Sequence, residues 1–384
     1  MNICMCDVGD GLNLFIDRRM MVDFGGEKEK LKEHYRHRCC HYCYPFHHIE
    51  TFVLSHFHED HYNGLFLEDE FPHYYFHDLK YVYYQGIPII VDEQGNNIHT
   101  KFLSYLMAMN HYMLGDKSGV ASADLIDRLQ QLSHSTFAYA PLFKGDTFTH
   151  NTRKYEVLWP PRRIEENKIF AKIKKAINDF EKAKKNNPEL DKLAEKYKDI
   201  AEKYARNGEA TAERRYEYPN ESMQKVEQNR ESNNETVENK KVNKKDLPEF
   251  VQAANKSLRD AANDLSLAFK SIDNDLLFMG DVRTYKSQTN TIYDVLKGQT
   301  FKVFVTPHHG TYADEKMQLI NAKIALSSVG SRKLYNGYLK NEYLKAVSNH
   351  LYCTKKDGCL VVDINYSSLN IDMCKHDFEE ISWK

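Results

Sequence analysis

The sequence has no apolar run long enough to cross a membrane and no large excess of either charge. Its 384 residues include 53 Lys and Arg against 55 Asp and Glu, a formal net charge of -2. The opening MNICMCDVGDGL carries aspartates where a signal peptide needs a cationic flank and an apolar stretch. We therefore expect a cytoplasmic protein with no membrane partner, in which any anionic partner must bind to a local patch.

The sequence also lacks a regular cysteine pattern. Its eight cysteines are unevenly scattered, and a chain of this length does not need a disulfide framework, so we expect reduced thiols. The stretch RHRCCHYCYPFHH at 36–48 has no second CxxC partner. It is either a small separate zinc site or, as we favour, a Cys/His-rich loop beside the main site.

Short β-type runs recur in both halves of the chain, among them TFVL at 51–54, LLFMGD at 276–281 and FKVFVTPH at 301–308. Helix-like stretches lie between them, such as KFLSYLMAMNHYML at 101–114. This alternation predicts an α/β or α+β protein whose sheets are covered by helices.

Residues 165–250 differ in kind, because they are highly charged with both signs in balance. Apolar residues recur there at helical spacing, at Ile169, Ile173, Ile177, Phe180, Leu190, Leu193, Tyr197, Ile200 and Tyr204. The spacing predicts two amphipathic helices in a hairpin around NNPE (186–189), and a disordered linker after Asn207. We favour a solvated insertion of balanced charge; the alternative is an arm that recruits a substrate or a protein partner.

The stretch SHFHEDHYNG at 55–64 follows the apolar run TFVL. His56 and His58 alternate along extended backbone, and Asp60 and His61 follow after a turn. One loop can thus offer two imidazoles to one ion, and a carboxylate plus an imidazole to a neighbouring ion. Imidazole and carboxylate ligands without thiolate suit Zn²⁺, Mn²⁺ or Fe²⁺ better than Ca²⁺, so the loop predicts a site for two divalent ions.

This HxHxDH pattern resembles the signature of the metallo-β-lactamase superfamily. Three further stretches follow in the superfamily's order: MVDFGG at 21–26, LLFMGD at 276–281 and VTPHHGT at 305–311. The resemblance implies a four-layer αββα sandwich, Asp23 as the support of a ligating histidine, and Asp281 as a carboxylate that bridges the two ions. Adjacent side chains diverge, so we assign His309 as a ligand and His308 as a phosphate contact or proton donor, with the reverse assignment open.

Several stretches are also similar to the hydrolase domain of ComEC-type competence proteins: CDVGDG at 6–11, KGDTF at 144–148, ALSSVG at 325–330 and TKKDG at 354–358. This similarity covers 1–160 and 262–367. It implies one hydrolase domain formed by 1–164 and 251–384 and interrupted by 165–250. The superfamily's usual third histidine of the first metal site has no match before Ser266; Asn263 or Asp264 occupies that neighbourhood, and an oxygen ligand there favours Mn²⁺ somewhat over Zn²⁺.

The resemblance and the two-metal pattern predict a phosphodiesterase, first of all a nuclease acting on DNA or RNA with a bridging hydroxide as nucleophile. Asp60 and His308 would be catalytic, and Arg162, Arg163 and Lys286 are candidate substrate contacts. The basic run that follows Arg163 is read equally well as a solvated helix face balanced by acidic residues. Two alternatives stay open: hydrolysis of a small phosphodiester such as a cyclic nucleotide or a phosphocholine ester, and a metal-bound interaction scaffold.

Overall fold

The computed structural model of the protein describes residues 1–36, 48–67, 75–114, 125–164, 168–213, 224–225, 247–282, 290–312, 320–330, 350–364 and 369–374. Most of the Cys/His-rich stretch, Lys286 and most of the predicted linker lie outside these residues. The helix Lys198–Glu213 runs six residues past Asn207, so the prediction that the linker begins there is wrong.

The strands of the described segments run in chain order as follows: β1 Asn2–Met5, β2 Asn13–Ile16, β3 Met20–Phe24, β4 Thr51–Leu54, β5 Tyr81–Gln85, β6 Ile89–Ile90, β7 Ala138–Leu142, β8 Thr147–His150, β9 Arg153–Trp159, β10 Arg163–Ile164, β11 Gln224–Lys225, β12 Ala268–Ser271, β13 Leu276–Phe278, β14 Thr300–Val305, β15 Asn321–Ser327, β16 Leu351–Cys353, β17 Cys359–Ile364 and β18 Leu369–Cys374.

The helices are α1 Lys28–Arg36, α2 Glu59–Tyr62, α3 His99–Leu114, α4 Leu125–Leu132, α5 Lys168–Lys185, α6 Pro188–Lys196, α7 Lys198–Glu213, α8 Glu249–Asp264, α9 Asn290–Leu296 and α10 Thr354–Asp357, with 3-10 turns at Asn63–Phe66 and Pro307–Gly310. None of these helices is both long and apolar enough to span a bilayer.

Two mixed sheets form the centre of the molecule. One has the strand order β11-β7-β5-β4-β3-β2-β1-β17-β18, and the other β16-β15-β14-β13-β12-β9-β8. Strands β3, β4, β5 and β7 run parallel in the first sheet, and β13, β14 and β15 run parallel in the second. The metal-type motifs follow the carboxyl ends of β4, β13 and β14, where parallel strands deliver their loops to one edge of a sheet.

Alternating burial explains how the sheets pack. Val53 of β4 and Val303 of β14 belong to one apolar cluster that draws on both sheets. Their neighbours Phe52 and Phe304 point the other way and belong to a second cluster that includes residues of the helices. Because successive side chains of a strand alternate between faces, one face of each sheet packs on the other sheet and the opposite face packs on helices. The predicted mixed α/β class is confirmed.

The hairpin region contains three helices where the sequence suggested two. Helix α6 begins at Pro188, with the side chain of Asn187 accepting hydrogen bonds from the backbone N–H groups of Glu189 (3.1 Å) and Leu190 (3.3 Å). It ends at Tyr197, whose φ of -88° and ψ of 0° leave the helical region. The Tyr197 side chain is buried and its hydroxyl lies 2.5 Å from Nδ1 of His111 on α3. This tertiary contact accompanies the break in the helix.

The apolar face of this region is not solvated. Ile173, Ile177 and Phe180 are buried in the cluster that also contains Phe52. The ring of Phe180 stacks on Tyr105 of α3 at 4.2 Å between centroids. Helices α5 to α7 therefore contribute to the core, and the solvated-insertion interpretation is wrong for their inner face.

One cysteine departs from the expectation of reduced thiols, because Cys4 is disulfide-bonded. Cys6, Cys353 and Cys359 are buried and carry thiols, as expected.

We expect Phe180→Ala to lower the free energy of unfolding by about 3–5 kcal/mol, because it removes a fully buried ring and leaves a cavity beside Tyr105. Lys182→Ala, at an exposed position of the same helix, is the matched control and should change the value by less than about 0.5 kcal/mol. Denaturant unfolding measures both. Equal values for the two variants would show that the helix does not belong to the core.

Candidate metal centre

The loop after β4 is tightly held. All four residues of β4 are buried, and Ser55 and His56 continue the buried stretch. His58 is still extended, with φ -101° and ψ 145°, and directly precedes the short helix α2. Gly25 lies so close that a Cβ there would stand 2.4 Å from the carbonyl carbon of Asp60. Gly25 of MVDFGG is thus required by this approach of two backbones.

Asp23 fixes the orientation of His61. Its carboxylate accepts hydrogen bonds from the Ser55 N–H (2.7 Å), from the Ser55 hydroxyl (2.6 Å) and from Nδ1 of His61 (2.7 Å). Burial raises the pKa of Asp23, and the contacts with His61 and Ser55 oppose that rise. Since Nδ1–H of His61 donates to Asp23, Nε2 of His61 faces the centre, which is the arrangement that orients a metal-ligating histidine.

The same orientation recurs at two more histidines. The Ser55 hydroxyl donates to Asp23, so it accepts from Nδ1–H of His56 at 3.0 Å. Nδ1–H of His309 donates to the backbone carbonyl of Ser328 at 2.9 Å. In both rings Nδ1 carries the proton, and Nε2 is left with a lone pair.

Three buried imidazole nitrogens of the loop after β4 lack a hydrogen-bond partner among the described residues: Nε2 of His56, His58 and His61. An unsatisfied buried polar atom costs about 1–3 kcal/mol, so three in one loop need an explanation. Burial holds the pKa of His56 and His58 well below the usual value, which keeps both rings neutral. Two neutral imidazoles whose buried Nε2 lone pairs have no hydrogen-bond partner are donors that a divalent metal ion satisfies. His61 differs, because burial lowers its pKa but the charges of Asp281 and Asp23 outweigh burial and hold the pKa well above its usual value.

Asp281 brings a carboxylate to these nitrogens from the other sheet. Its Oδ2 lies 3.5 Å from Nε2 of His61 and 3.7 Å from Nε2 of His56. Its backbone N–H donates to the Ser266 hydroxyl at 2.8 Å. Burial alone would raise the pKa of Asp281, but His61 and His308 outweigh burial and hold the pKa well below its usual value. The carboxylate is therefore ionised.

The residues form two triads. Within each triad, the possible ligand atoms all lie within 4.8 Å of one another. One triad is His56, His61 and Asp281, and the other is Asp60, His61 and His309. The sequence paired His56 with His58 and assigned His61 to the second ion alone. The structure instead brings His61 to both triads. His58 belongs to neither of them, although its ring centroid is 4.4 Å from that of His56.

His308 and His309 diverge because both adopt left-handed backbone conformations, with φ of 46° and 57°. The His309 side chain is buried, and its Nε2 lies 3.9 Å from Oδ2 of Asp60. The His308 side chain is 21% exposed, and its Nε2 lies 3.6 Å from Oδ2 of Asp281. The structure thus places His309 in a triad and His308 at the surface beside it.

A cleft of about 610 Å³ opens at His308. One face of α8 forms much of its wall, and the remaining lining includes Tyr312, whose ring stacks on His308 at 3.9 Å between centroids. The polar residues of α8 that line the cleft are Glu249, Gln252, Asn255, Lys256, Arg259, Asp260 and Asn263. Arg259 also reaches the metal-type loop, with Nη2 3.4 Å from Oδ1 of Asp60.

Sequence reasoning missed this face of α8. Gln252, Lys256, Arg259 and Asn263 follow one another at steps of four, three and four residues, which is the spacing of one helix face. This polar face was the only sign of the cleft in the sequence. By sequence alone it cannot be distinguished from a helix face that is exposed to solvent.

The predicted substrate contacts lie elsewhere. Arg162 forms an ion pair with Asp146, and its guanidinium lies 4.8 Å from the ring centroid of Phe143. Arg163 is an exposed residue of β10, and neither arginine lines the cleft. Lys286 lies outside the described residues.

The basic run on α5 is neutralised locally. Lys172 contacts Asp264, Lys174 lies 2.8 Å from Glu93, and Lys175 contacts Asp179. These pairs support the reading of a charge-balanced helix face.

Asn263 and Asp264 differ in what they can offer the centre. The Asp264 carboxylate contacts Lys172, and its carbonyl accepts a hydrogen bond from Nε1 of Trp159 at 2.7 Å. Asn263 lines the cleft, and its buried Oδ1 has no hydrogen-bond partner within the described segments. Of the two, Asn263 presents the open oxygen.

Comparison with known protein families gave no matching family model, and comparison with curated proteins gave no match.

We expect the purified protein to retain about two divalent ions per chain through gel filtration, held by His56, His58, Asp60, His61, Asp281 and His309. Asp281→Ala should lose most of this metal, because the triad with His56 and His61 then has no carboxylate. Elemental analysis after reconstitution measures the content. His350→Ala, at an exposed histidine outside both triads, should retain it.

Wild-type protein that holds no metal after reconstitution with Zn²⁺, Mn²⁺ and Fe²⁺ would contradict this assignment. So would an Asp281→Ala variant that is folded and fully loaded.

Proposed function

We propose that the chain is a metal-dependent phosphodiesterase with a metallo-β-lactamase-like αββα fold, and that it cleaves DNA or RNA. The observation that carries the proposal is the set of three buried Nε2 atoms without a hydrogen-bond partner, two of which, those of His56 and His61, lie 3.7 Å and 3.5 Å from the carboxylate of Asp281. Support for the fold comes from two sheets that share one apolar core and have helices on their other faces.

The donor set fits Zn²⁺ or Mn²⁺, because it combines imidazoles and carboxylates without a thiolate. His56, His58, His61, His309, Asp60 and Asp281 would hold two ions, with Asn263 as a further oxygen ligand. When bound, such ions acidify a coordinated water molecule and neutralise charge on a phosphoryl group.

His308 is suited to act on the substrate. The Thr311 hydroxyl donates to the backbone carbonyl of His308 at 2.7 Å, so it accepts from the imidazole Nδ1–H. This leaves Nε2 of His308 facing Asp281 at the edge of the cleft. An imidazole held in this way can contact a phosphoryl oxygen or, when protonated, donate to the leaving oxygen.

The cleft offers contacts suited to a phosphodiester. Arg259 supplies a planar set of N–H donors that matches phosphate oxygens, and Lys256 adds a second cation one helical turn away. The stacked rings of His308 and Tyr312 provide an aromatic surface at the same opening, which suits a nucleobase. The two cations and the aromatic surface thus line one cleft, which opens beside Asp281.

A small phosphodiester is the second candidate substrate. The cleft volume of about 610 Å³ lies within the range of about 300–1,000 Å³ that is typical of small-ligand pockets. A cyclic nucleotide would use the same cations and ligands.

The direct test is incubation of metal-reconstituted protein with labelled single-stranded DNA, double-stranded DNA, RNA and cyclic nucleotides. We expect metal-dependent cleavage of nucleic acid, and its loss in Asp281→Ala. His308→Ala should retain its metal and lose about 10²- to 10⁴-fold in turnover, the usual contribution of a general acid or base.

Cleavage of cyclic nucleotides alone would select the small-molecule alternative. If a lactone, thioester or β-lactam is cleaved while every phosphate substrate stays intact, the phosphodiesterase proposal is wrong. If nothing is cleaved with Mn²⁺, Zn²⁺, Mg²⁺ or Fe²⁺, an interaction scaffold becomes the better reading.

Arg259 and Arg162 form a matched pair for locating the substrate. Arg259→Gln should lower kcat/KM by about 10- to 100-fold, since a hydrogen bond to a charged group is worth about 1.5–3 kcal/mol. Arg162→Gln should leave kcat/KM nearly unchanged, because Arg162 does not line the cleft. Metal content is measured in both variants, because Arg259 lies beside Asp60. The reverse pattern would place the substrate near Arg162, as the sequence suggested.

A further inference from the structure

A second cluster of metal-ligand side chains lies away from the centre described above. It consists of His48, which precedes β4, and His77 and Asp78, which precede β5. Because β4 and β5 are parallel, the segments that lead into them lie side by side. The metal-type loop follows the other end of β4, and at about 3.3 Å per residue the four residues of that strand alone separate the two clusters by more than about 10 Å.

The carboxylate of Asp78 lies between the two imidazoles. Its Oδ1 lies 2.6 Å from Nδ1 of His77, and its Oδ2 lies 4.0 Å from Nδ1 of His48. The ring centroids of His48 and His77 are 5.3 Å apart. Each of the three residues can present a ligand atom such that these atoms all lie within 4.8 Å of one another.

Backbone hydrogen bonds hold the cluster together. Ile49 N–H donates to the carbonyl of Tyr75 at 2.7 Å, and Lys80 N–H donates to the carbonyl of Glu50 at 2.9 Å. These bonds tie the segment before β4 to the segment before β5 on both sides of the cluster. The fold has therefore already ordered the backbone that carries the three ligands.

His134, which precedes β7, fixes the plane of the His77 ring. Its backbone N–H donates to the carbonyl of His77 at 3.2 Å. Its own ring stacks on that of His77, with centroids 4.4 Å apart and planes 18° from parallel. Near-parallel stacked rings direct their nitrogens along separate lines, so His134 supports His77 and is not counted as a ligand of the same ion.

We propose that His48, His77 and Asp78 form a second, peripheral binding site for a divalent transition-metal ion. Two imidazoles and a carboxylate suit Zn²⁺, Ni²⁺ or Cu²⁺, and three protein ligands leave a coordination position open to water. The side chains are 36%, 47% and 51% exposed, so this ion exchanges with solvent more readily than ions at the buried centre. The site does not depend on the proposed phosphodiesterase activity.

Isothermal titration of Zn²⁺ into protein whose central site is already loaded tests the proposal. We expect wild-type protein to bind one further ion per chain, and His77→Ala and His48→Gln to lose that binding. The matched control is His350→Ala, an exposed histidine outside the cluster, which should bind the further ion as wild type does. Thermal unfolding supplies a second readout, because an ion that clamps the segments before β4 and β5 raises the Tm of the wild type and of His350→Ala but not of His77→Ala.

The proposal is overturned if loaded wild-type protein takes up no further Zn²⁺. It is also overturned if folded His77→Ala and His48→Gln bind the further ion with unchanged affinity, since other groups must then hold it. Asp281→Ala separates the two sites: it should lose the central metal and keep the peripheral binding.

Discussion

The buried carboxylate of Asp23 is the contact on which the centre depends. It holds Ser55 and His61 directly, and Ser55 in turn holds His56. The ring of His56 also lies 3.2 Å from the Ser266 hydroxyl, which accepts the backbone N–H of Asp281. One continuous network therefore joins both sheets and sets which nitrogen of His56 and of His61 faces the centre. Without Asp23, His56 and His61 would lose the contacts that turn their Nε2 atoms toward the centre.

The ligand motifs could be predicted from the sequence because each is local and each follows an apolar strand. Strands β4 and β13 belong to two sheets that share one apolar core, and the loops after these strands bring Asp60 and Asp281, far apart in the chain, to one site. Contacts that depend on packing could not be predicted in this way. Arg162 looked like a substrate contact because it is basic and follows a strand, but Asp146 pairs with it. The cleft-lining face of α8 looked like any solvated stripe, since a sequence does not show what a helix faces.

Helices α5 to α7, which belong to the charged insertion, support one wall of the cleft. Helix α5 packs along α8, where Lys175 lies 3.0 Å from the Ser257 hydroxyl and Asp179 lies 2.6 Å from it. Lys172 holds Asp264 at the end of α8, next to Asn263. The opposite face of α8 carries Arg259 and Lys256 into the cleft. The insertion therefore helps to position α8, whose other side lines the cleft, although none of the described residues of α5 to α7 lines it.

The left-handed turn at His308 and His309 joins two environments through a single peptide bond. One ring is sealed among the ligand atoms, and its neighbour lies against Tyr312 at the open cleft. Non-glycine residues rarely adopt this backbone conformation, and it leaves little freedom for one residue to rotate while the other stays fixed. An occupant of the cleft that displaces the His308 ring would therefore also shift the ring of His309 and any ion held there. Through this turn, a molecule in the cleft could change the geometry of the proposed metal centre without contacting its ions.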